Sequence, residues 1–505
     1  MIDRGARLPP GRLVVVVLMA ANAVSSADLY VAPQGSASGS GTLSRPFDLA
    51  TALSGSVGSP GDVFWLHSGT YRLGHVATQV HGTAKRPITF RQLPGEHAQL
   101  VGSLSIWGKA GYLVFRDFEL CSGVTHRLSR QKGTGFSPAD LTNFVEGIQV
   151  YAPNISFINL LVHDSVRSGF YTASQATNTV IYGCLVYNAG WASRKEAEGH
   201  SYYLQGAGQI SENLAFNSAG ANFHVYANAQ GVCLQNLILD GNIACGAGAL
   251  QAVRPYRDWI VGVDSPSLKA DNITLRDNMG YLMPNATTLS QVQLGREQIN
   301  GSITVSSNYW PQAITVNNWR RARVLGNVIV PQNSDCVVNL QGSLTKLAAT
   351  WNDNLYYFPS ALPFHIGSKC YSFTQWKTTT GYDRDSSWTT GPVTGTKIFV
   401  RPNRYAPGRA HIVVYNWDRL TKVAVDVGSV LPVGASYEVR NAEDFFAPPV
   451  RRGVFDGHPL ELPMTHLTVA KPSCELKAPA PTGPTFNVFV LLPRAAKAAP
   501  MDVEP

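Results

Sequence analysis

Short apolar runs broken by turn residues, not long amphipathic stretches, dominate the chain. From Pro87 onward strands are predicted in PITFRQLPG, AQLVGSLSIWG and GYLVFRDFEL, followed by a polar interruption from Cys121 to Asn143 that reads as a long loop. Beyond it apolar triplets recur at Ile155, Val180, Ile210, Cys233, Ile273, Ile303 and Val324, each soon followed by a turn signal. Their separations are 25, 30, 23, 40, 30 and 21 residues. The shorter intervals suit one coil of a β-solenoid, and the longer ones require loops inserted at a turn. An Asn follows many triplets: Asn159, Asn213, Asn236, Asn278, Asn308 and Asn327. Stacked at one turn in coils about 4.8 Å apart, these amides are expected to bond one another in a ladder.

Gly199 to Gly246 reads as two neighbouring coils. A short strand with His200, Tyr202 and Gln205 is matched 24 residues later by one with His224, Tyr226 and Gln230. Side chains two apart in a strand share a face, so His200 should project with Tyr202, and His224 with Tyr226. Aligning Asn213 with Asn236, however, sets His200 opposite Phe223, and a one-residue slip reverses the face. The preceding segment, WASRKEAE, supplies Arg194, Lys195, Glu196 and Glu198; the following QAVRPYRDW adds Arg254, Tyr256, Arg257 and Asp258.

A second module begins near Thr394. Its strands (IFVRPNRY, AHIVVYNWD, KVAVDVGSVL, SYEVRNAEDFF, VFDGHPLELPM, NVFVLLP) are separated by turns and suggest a small antiparallel sandwich. It is expected to cap the last coil. At the other end, Arg4, Arg7 and Arg12 precede an apolar run from Leu13 to Ala21 and the small residues Ser25-Ser26-Ala27, the order of an export signal cleaved after Ala27. The expected division is signal 1–27, solenoid 28–390, β-sandwich 391–493 and disordered tail 494–505. The product is expected to be secreted, periplasmic or on the cell surface, with no membrane attachment after cleavage.

Composition narrows the function classes. With 505 residues, 44% apolar and 15% charged, and with 46 Gly, the chain is ordered and rich in turns. Loss of the signal lowers the formal charge from +8 to +6, compatible with an acidic polymer as partner. Basic residues are scattered without a dense tract, so nucleic acid is not an expected partner. Seven cysteines without a C-x-x-C pair do not make a disulfide scaffold, although a Cys336–Cys370 bridge is one expectation.

The segment DLYVAPQGSASGSGTLSRPFDLATALSGSVGSPGDVFWLHSGTYR, with Y-V-A-P-x-G-S, R-P-F, A-x-x-A-L, G-D-V-x-x-L and G-T-Y-R in that order, resembles the N-terminal cap and first coil of secreted right-handed parallel β-helix proteins. These form the pectate-lyase-like superfamily, which includes relatives of chondroitinase B and alginate lyase. The resemblance implies an all-β right-handed parallel β-helix with an N-terminal capping helix, a polysaccharide partner and a monomer. It admits Ca2+ as a cofactor, although the sequence carries no metal motif and the Lys/Arg pair of the chondroitinase B-like lyases has no matching motif here.

From the two His/Tyr strands and the charged segments on either side of them, the expected catalytic residues are His200, Tyr202, His224, Tyr226 and Arg254, and the expected substrate contacts are Lys195, Glu198, Gln205, Tyr256 and Arg257. A lyase acting on an acidic glycan would use Arg254 or Arg257 to neutralise the uronate, His200, His224 or Lys195 as base, and Tyr202 or Tyr226 as acid. A glycoside hydrolase would instead use two carboxylates among Glu198, Asp164 and Asp264. A non-catalytic glycan-binding protein is the third expectation.

Overall fold

The computed structural model describes residues 26–494 apart from 132–134, 136, 228–233, 265–268, 284–290, 297 and 343–346. Residues 1–25 of the proposed signal, Gln230 and Cys233 lie outside the described residues, as does the tail after Arg494. From residue 28 to 389 the chain winds as a parallel β-helix whose coils contribute to three parallel sheets. The first sheet has twelve strands, from Asp28–Val31 to Ala348–Asn352. It includes Ile155–Ile158, Thr179–Tyr182, Gly208–Ser211, Leu234–Asp240, Ala270–Arg276, Asn300–Ser306 and Trp319–Leu325, the strands anticipated by the apolar triplets.

Long strands Gly69–Thr78 and Ala98–Ile106 enter both other sheets. The second sheet continues through Glu119–Cys121, Leu161–His163, Leu185–Tyr187, Leu214–Ser218 and Ile243–Ala247 to Ser387–Thr389. The third runs through Ile148–Val150, Phe170–Thr172, Tyr202–Leu204, Phe223–Ala227 and Trp259–Val263 to Phe364–Ile366.

Stacking of like on like fills the interior. Phe64, Phe90, Phe115 and Phe157 stack in successive coils with ring centroids 4.7, 5.3 and 5.6 Å apart. Phe170, Tyr202, Phe223 and Trp259 do the same behind the third sheet at 5.4, 4.8 and 4.4 Å. Each such pair is worth about 0.5–1.5 kcal/mol beyond the area it buries.

The amide ladder exists with a changed membership. Asn213, Asn242, Asn278, Asn308, Asn327 and Asn354 pass hydrogen bonds of 2.9–3.0 Å from each Nδ2 to the next Oδ1, and Asp383 receives the last. Asn159 stands one residue before this column, in a left-handed turn at φ 56°, and bonds Asp117. Asn236 lies within the first sheet, exposed, and accepts from Asn272. Aligning Asn213 with Asn236 therefore set the wrong register. The backbone pairs Ile210 with Leu239, so Asn242 is the ladder's next rung.

Each end is closed by a helix. Leu49–Ser54 begins at an Asp48 N-cap and buries Leu49, Ala52 and Leu53 in the first coils. Phe373–Thr380, with a Ser372–Gln375 capping box, buries Trp376 against Phe364 and Trp351. The C-terminal module is a five-stranded antiparallel sheet facing a two-stranded one. Contrary to expectation it does not cap the last coil. Its strand Ala410–Asn416 is buried on both faces, because Ile412 and Val414 enter the module's own core while Val413 and Tyr415 pack on the helix's second sheet. Tyr415 donates to the Gly280 carbonyl at 2.7 Å and Phe486 stacks on Tyr281 at 4.7 Å. The module thus covers one side of the solenoid and leaves the third sheet's outer face open. Cys336 and Cys370 are free, so the expected bridge is not made. Among the described residues no helix is long and apolar enough to cross a membrane.

Candidate functional site

The third sheet alternates strictly: in each short strand the first and third residues enter the core and the middle one faces out. Tyr171 pairs with Tyr203, and Tyr203 with His224. The resulting outer column runs from Trp107 through Tyr151, Tyr171, Tyr203 and His224 to Tyr226, with successive centroids 4.2, 5.7, 5.4, 5.0 and 4.6 Å apart. Trp107, 45% exposed, ends it. Gln205 ties the column together, accepting from Tyr171 Oη at 3.2 Å and donating to Tyr203 Oη at 3.3 Å and to the Tyr226 carbonyl at 3.2 Å.

Tyr202 is the correction. It occupies an inward position, fully buried, and donates to the Cys184 carbonyl. Burial raises its pKa well above the usual phenol value, and its hydroxyl, held inside the core, does not reach the groove. Its neighbour Tyr203 takes the outward place. His200 also departs from the expected i, i+2 relation: it lies ahead of the strand Tyr202–Leu204, in a bend after Gly199 at φ 113°. From there its ring reaches His224 across the coil, Nε2 to Nδ1, at 2.9 Å.

That contact fixes both tautomers. The Ala221 N–H donates to His200 Nδ1 at 2.9 Å, so the His200 proton is on Nε2 and is given to His224 Nδ1. His224 then carries its own proton on Nε2. Burial keeps both rings neutral, bringing His200 down to about 3 and lowering His224 well below its ordinary value. Neutral imidazoles in this arrangement make His224 a hydrogen-bond donor rather than a base. Behind the pair, Ser201 donates to Asn222, which donates to Asp258 at 2.7 Å, and Asp258 also accepts from the Ala247 N–H and Gln312.

Beside the histidines the hairpin Trp191–Ala192/Ala197–Glu198 places a carboxylate at its foot. A Glu198 oxygen lies 3.9 Å from His200 Nε2. Burial pushes Glu198 up to about 7, against the pull of Arg167 and Arg254. Lys195 sits exposed at the hairpin tip, away from this cluster. Arg254 pairs with Glu196 at 3.1 Å and lies over the Tyr256 ring, 5.0 Å from its centroid. Tyr256 packs edge-on to His200 and donates to the Ala197 carbonyl at 2.6 Å, bracing the hairpin. Arg257 is half-buried, its Nε without a partner among the described residues. Tyr226 donates to Asp264 at 2.9 Å, and Asp264 also accepts from Arg296.

Asp164 does not belong to this face. It lies on the second-sheet side, bonded to Arg127, His163 and the Ser473 N–H. Of the expected residues the structure therefore gathers His200, His224, Tyr226, Glu198, Gln205, Arg254 and Tyr256, sets Arg257 nearby, and removes Tyr202 and Lys195. Sequence reasoning missed Tyr151, Tyr171 and Tyr203, and the pair Arg167–Glu146 at 3.1 Å. The signal for the tyrosines was the repeated triplet Phe170-Tyr171-Thr172, Tyr202-Tyr203-Leu204, Phe223-His224-Val225, in which only the middle residue faces out.

The two clusters of metal-ligating side chains found among the described residues do not fit Ca2+. Among the described residues three metal-ligating side chains converge at Glu119–Cys121–His163 and at Asp335–Cys336–His365. Both sets mix nitrogen and sulfur donors, whereas Ca2+ takes oxygen ligands, and Glu119 and His163 already bond one another.

No protein-family model matches the chain, and no curated protein matches it in sequence. Among solved structures it is similar to pectate lyase Pel9A, at 13% identity over 66% of this chain and 80% of that one, TM-score 0.41. A GH136 lacto-N-biosidase from Eubacterium ramulus is similar at 13% identity over 72% and 67%, TM-score 0.39. The A-module of the Azotobacter vinelandii mannuronan C-5 epimerase AlgE6 is similar at 13% identity over 66% and 91%, TM-score 0.36.

Proposed function

We propose that the protein is a glycan-active enzyme that lays an acidic polysaccharide along the outer face of the third sheet and cleaves it by β-elimination. The observation that carries this is Glu198, a carboxyl group brought to about 7 by burial, beside the His200–His224 pair that fixes the His224 donor and next to a half-buried, outward-facing row of aromatic rings. Aromatic faces suit the apolar faces of sugar rings, and a proton-transfer group works best with a pKa near the working pH.

In this mechanism ionised Glu198 removes the proton on C5 of a uronate. The electrons of the C–H bond form the C4–C5 double bond, the C4–O4 bond breaks, and the departing oxygen takes a proton from Tyr203 or from the newly protonated Glu198. Charge builds on the uronate carboxylate as the proton leaves. His224 Nε2–H and the guanidinium of Arg254 or Arg257 are the donors assigned to it. Tyr226 and Gln205 orient Tyr203 and the sugar.

Hydrolysis is the second reading, favoured by the contrast between Glu198 and Asp264. One is held near 7 by burial, and the other is bonded to a guanidinium and a phenol, which suits an acid and a base or nucleophile. Incubation with a panel of uronic-acid polymers separates the readings. A product with the ultraviolet absorbance of an unsaturated uronate supports elimination. Reducing ends without that absorbance favour hydrolysis, and binding without cleavage dismisses both.

A further inference from the structure

A second cavity, of about 770 Å3, lies on the other side of the molecule, where the C-terminal module meets the edge of the helix. Four guanidinium groups line it, those of Arg91, Arg116, Arg409 and Arg440, against the carboxylates of Asp117 and Glu119. Most are satisfied. Arg440 bonds Glu438 at 2.6 Å and the Phe445 carbonyl at 2.9 Å. Glu119 is occupied by His97, Gln99 and His163. Asp117 accepts from Arg91 at 3.0 Å, Arg116 at 2.7 Å and Asn159 at 3.2 Å.

Arg409 is left over. Its Nε is buried without a partner, and its guanidinium makes no hydrogen bond or ion pair among the described residues. Asp117 favours the charge of this half-buried guanidinium from a distance but spends its hydrogen bonds on Arg91, Arg116 and Asn159, so the donors of Arg409 are left for a ligand. The loop that carries it is held in place: Asn403 donates to Asn159 at 2.7 Å, the Arg404 N–H to Tyr182 at 3.0 Å, and Arg116 to the Tyr405 carbonyl at 3.2 Å. Tyr405 and Phe446 contribute aromatic rings to the same wall. An anchored loop, a cation with no bonded partner among the described residues and aromatic rings around a cavity of ligand size form a preorganised anion site.

We propose that this cavity is a second glycan-binding site, distinct from the third-sheet groove, that takes one carboxylated sugar with its carboxylate on Arg409 and its ring against Tyr405. The choice of a sugar as carrier of the carboxylate rests on the functional reading above; the negative charge follows from the residues of the cavity alone. The site would hold a polysaccharide on the flank of the helix and raise the local concentration of chain ends near the groove.

The test is calorimetric titration of the full-length protein with sodium D-galacturonate and D-glucuronate, with D-galactose, D-glucose and inorganic phosphate as comparisons. At least one uronate is expected to bind, more tightly than phosphate, and the neutral hexoses are not. Arg409→Gln should weaken that binding about tenfold or more through loss of a charge-assisted hydrogen bond, without lowering the melting temperature. Tyr405→Ala should weaken uronate but leave phosphate binding as it was. Failure of the unchanged protein to take either uronate, phosphate binding as tight as uronate, or equal affinity in Arg409→Gln would overturn the site. Polymer cleavage is followed in parallel. Uronate binding that depends on Arg409, without cleavage, dismisses the catalytic reading and keeps this site, whereas cleavage without such binding does the reverse.

Discussion

Single residues decide the chemistry of the groove. Glu198 differs from its neighbour Glu196 in having no guanidinium in contact, so burial dominates and brings it to about 7. Replacing it by Gln should lower kcat by about 10²–10⁴ and remove the rise in activity with pH that ionisation of Glu198 gives near neutrality, which a pH–rate profile on a uronic-acid polymer would check. Gly220 is a second test. A Cβ there would lie 2.7 Å from His200 Nδ1 and 2.8 Å from the Gly199 carbonyl. Gly220→Ala should therefore push the His200 ring off the Ala221 N–H and free the His224 tautomer. Activity is expected to fall about 100-fold, while circular dichroism stays that of the unchanged protein. Retained activity would mean that the histidine pair is structural. His200 and His224 were legible in the sequence as a pair, but their contact was not: it comes from a bend at Gly199, and no two-residue periodicity describes a residue that lies outside its strand.

At the scale of elements, the spacing of apolar triplets anticipated the strands of the first sheet because every coil returns to the same buried column, whatever loop intervenes. The ladder was less legible because several Asn follow each strand and only the backbone register selects one. Asn236 and Asn242 illustrate the difference, since only Asn242 stands where its amide reaches the coils on both sides. Asn278→Ala removes an acceptor from the Asn242 N–H and amide and a donor from the Leu239 carbonyl, all buried. It should cost about 2–4 kcal/mol in urea unfolding, whereas Asn236→Ala on the exposed face should cost about 1 kcal/mol, the strain of placing alanine at a left-handed φ of 56°. Equal costs would mean that the ladder adds nothing beyond ordinary turn packing. The faces of the third sheet were legible in principle from the middle residue of each triplet. Tyr202 was misplaced because adjacent tyrosines, Tyr202 and Tyr203, give no local sign of which one points inward.

The whole molecule depends on how the C-terminal module lies along the helix, which nothing in either module's own periodicity specified. Part of that junction is ionic. His163 Nε2 meets Glu119 at 2.9 Å and its Nδ1 meets Asp164 at 2.9 Å; Asp164 in turn accepts from Arg127 and from the Ser473 N–H of the C-terminal module. Burial opposes the charge on His163, yet the hydrogen bonds to the two carboxylates outweigh it and raise the ring to about 9 from 6.5. The folded protein thus holds a proton that the unfolded chain releases between these values. The associated stability, about 3 kcal/mol at most, is fully present below pH 6.5 and is lost as pH rises through 9. Unfolding by urea at a series of pH values should show this decline. In His163→Gln it should disappear, because a glutamine can bond one carboxylate but cannot titrate. The variant would be the less stable protein at pH 6, and the gap would close toward pH 10. A gap independent of pH would mean that His163 is held there as a neutral ring and that the junction is built on packing alone.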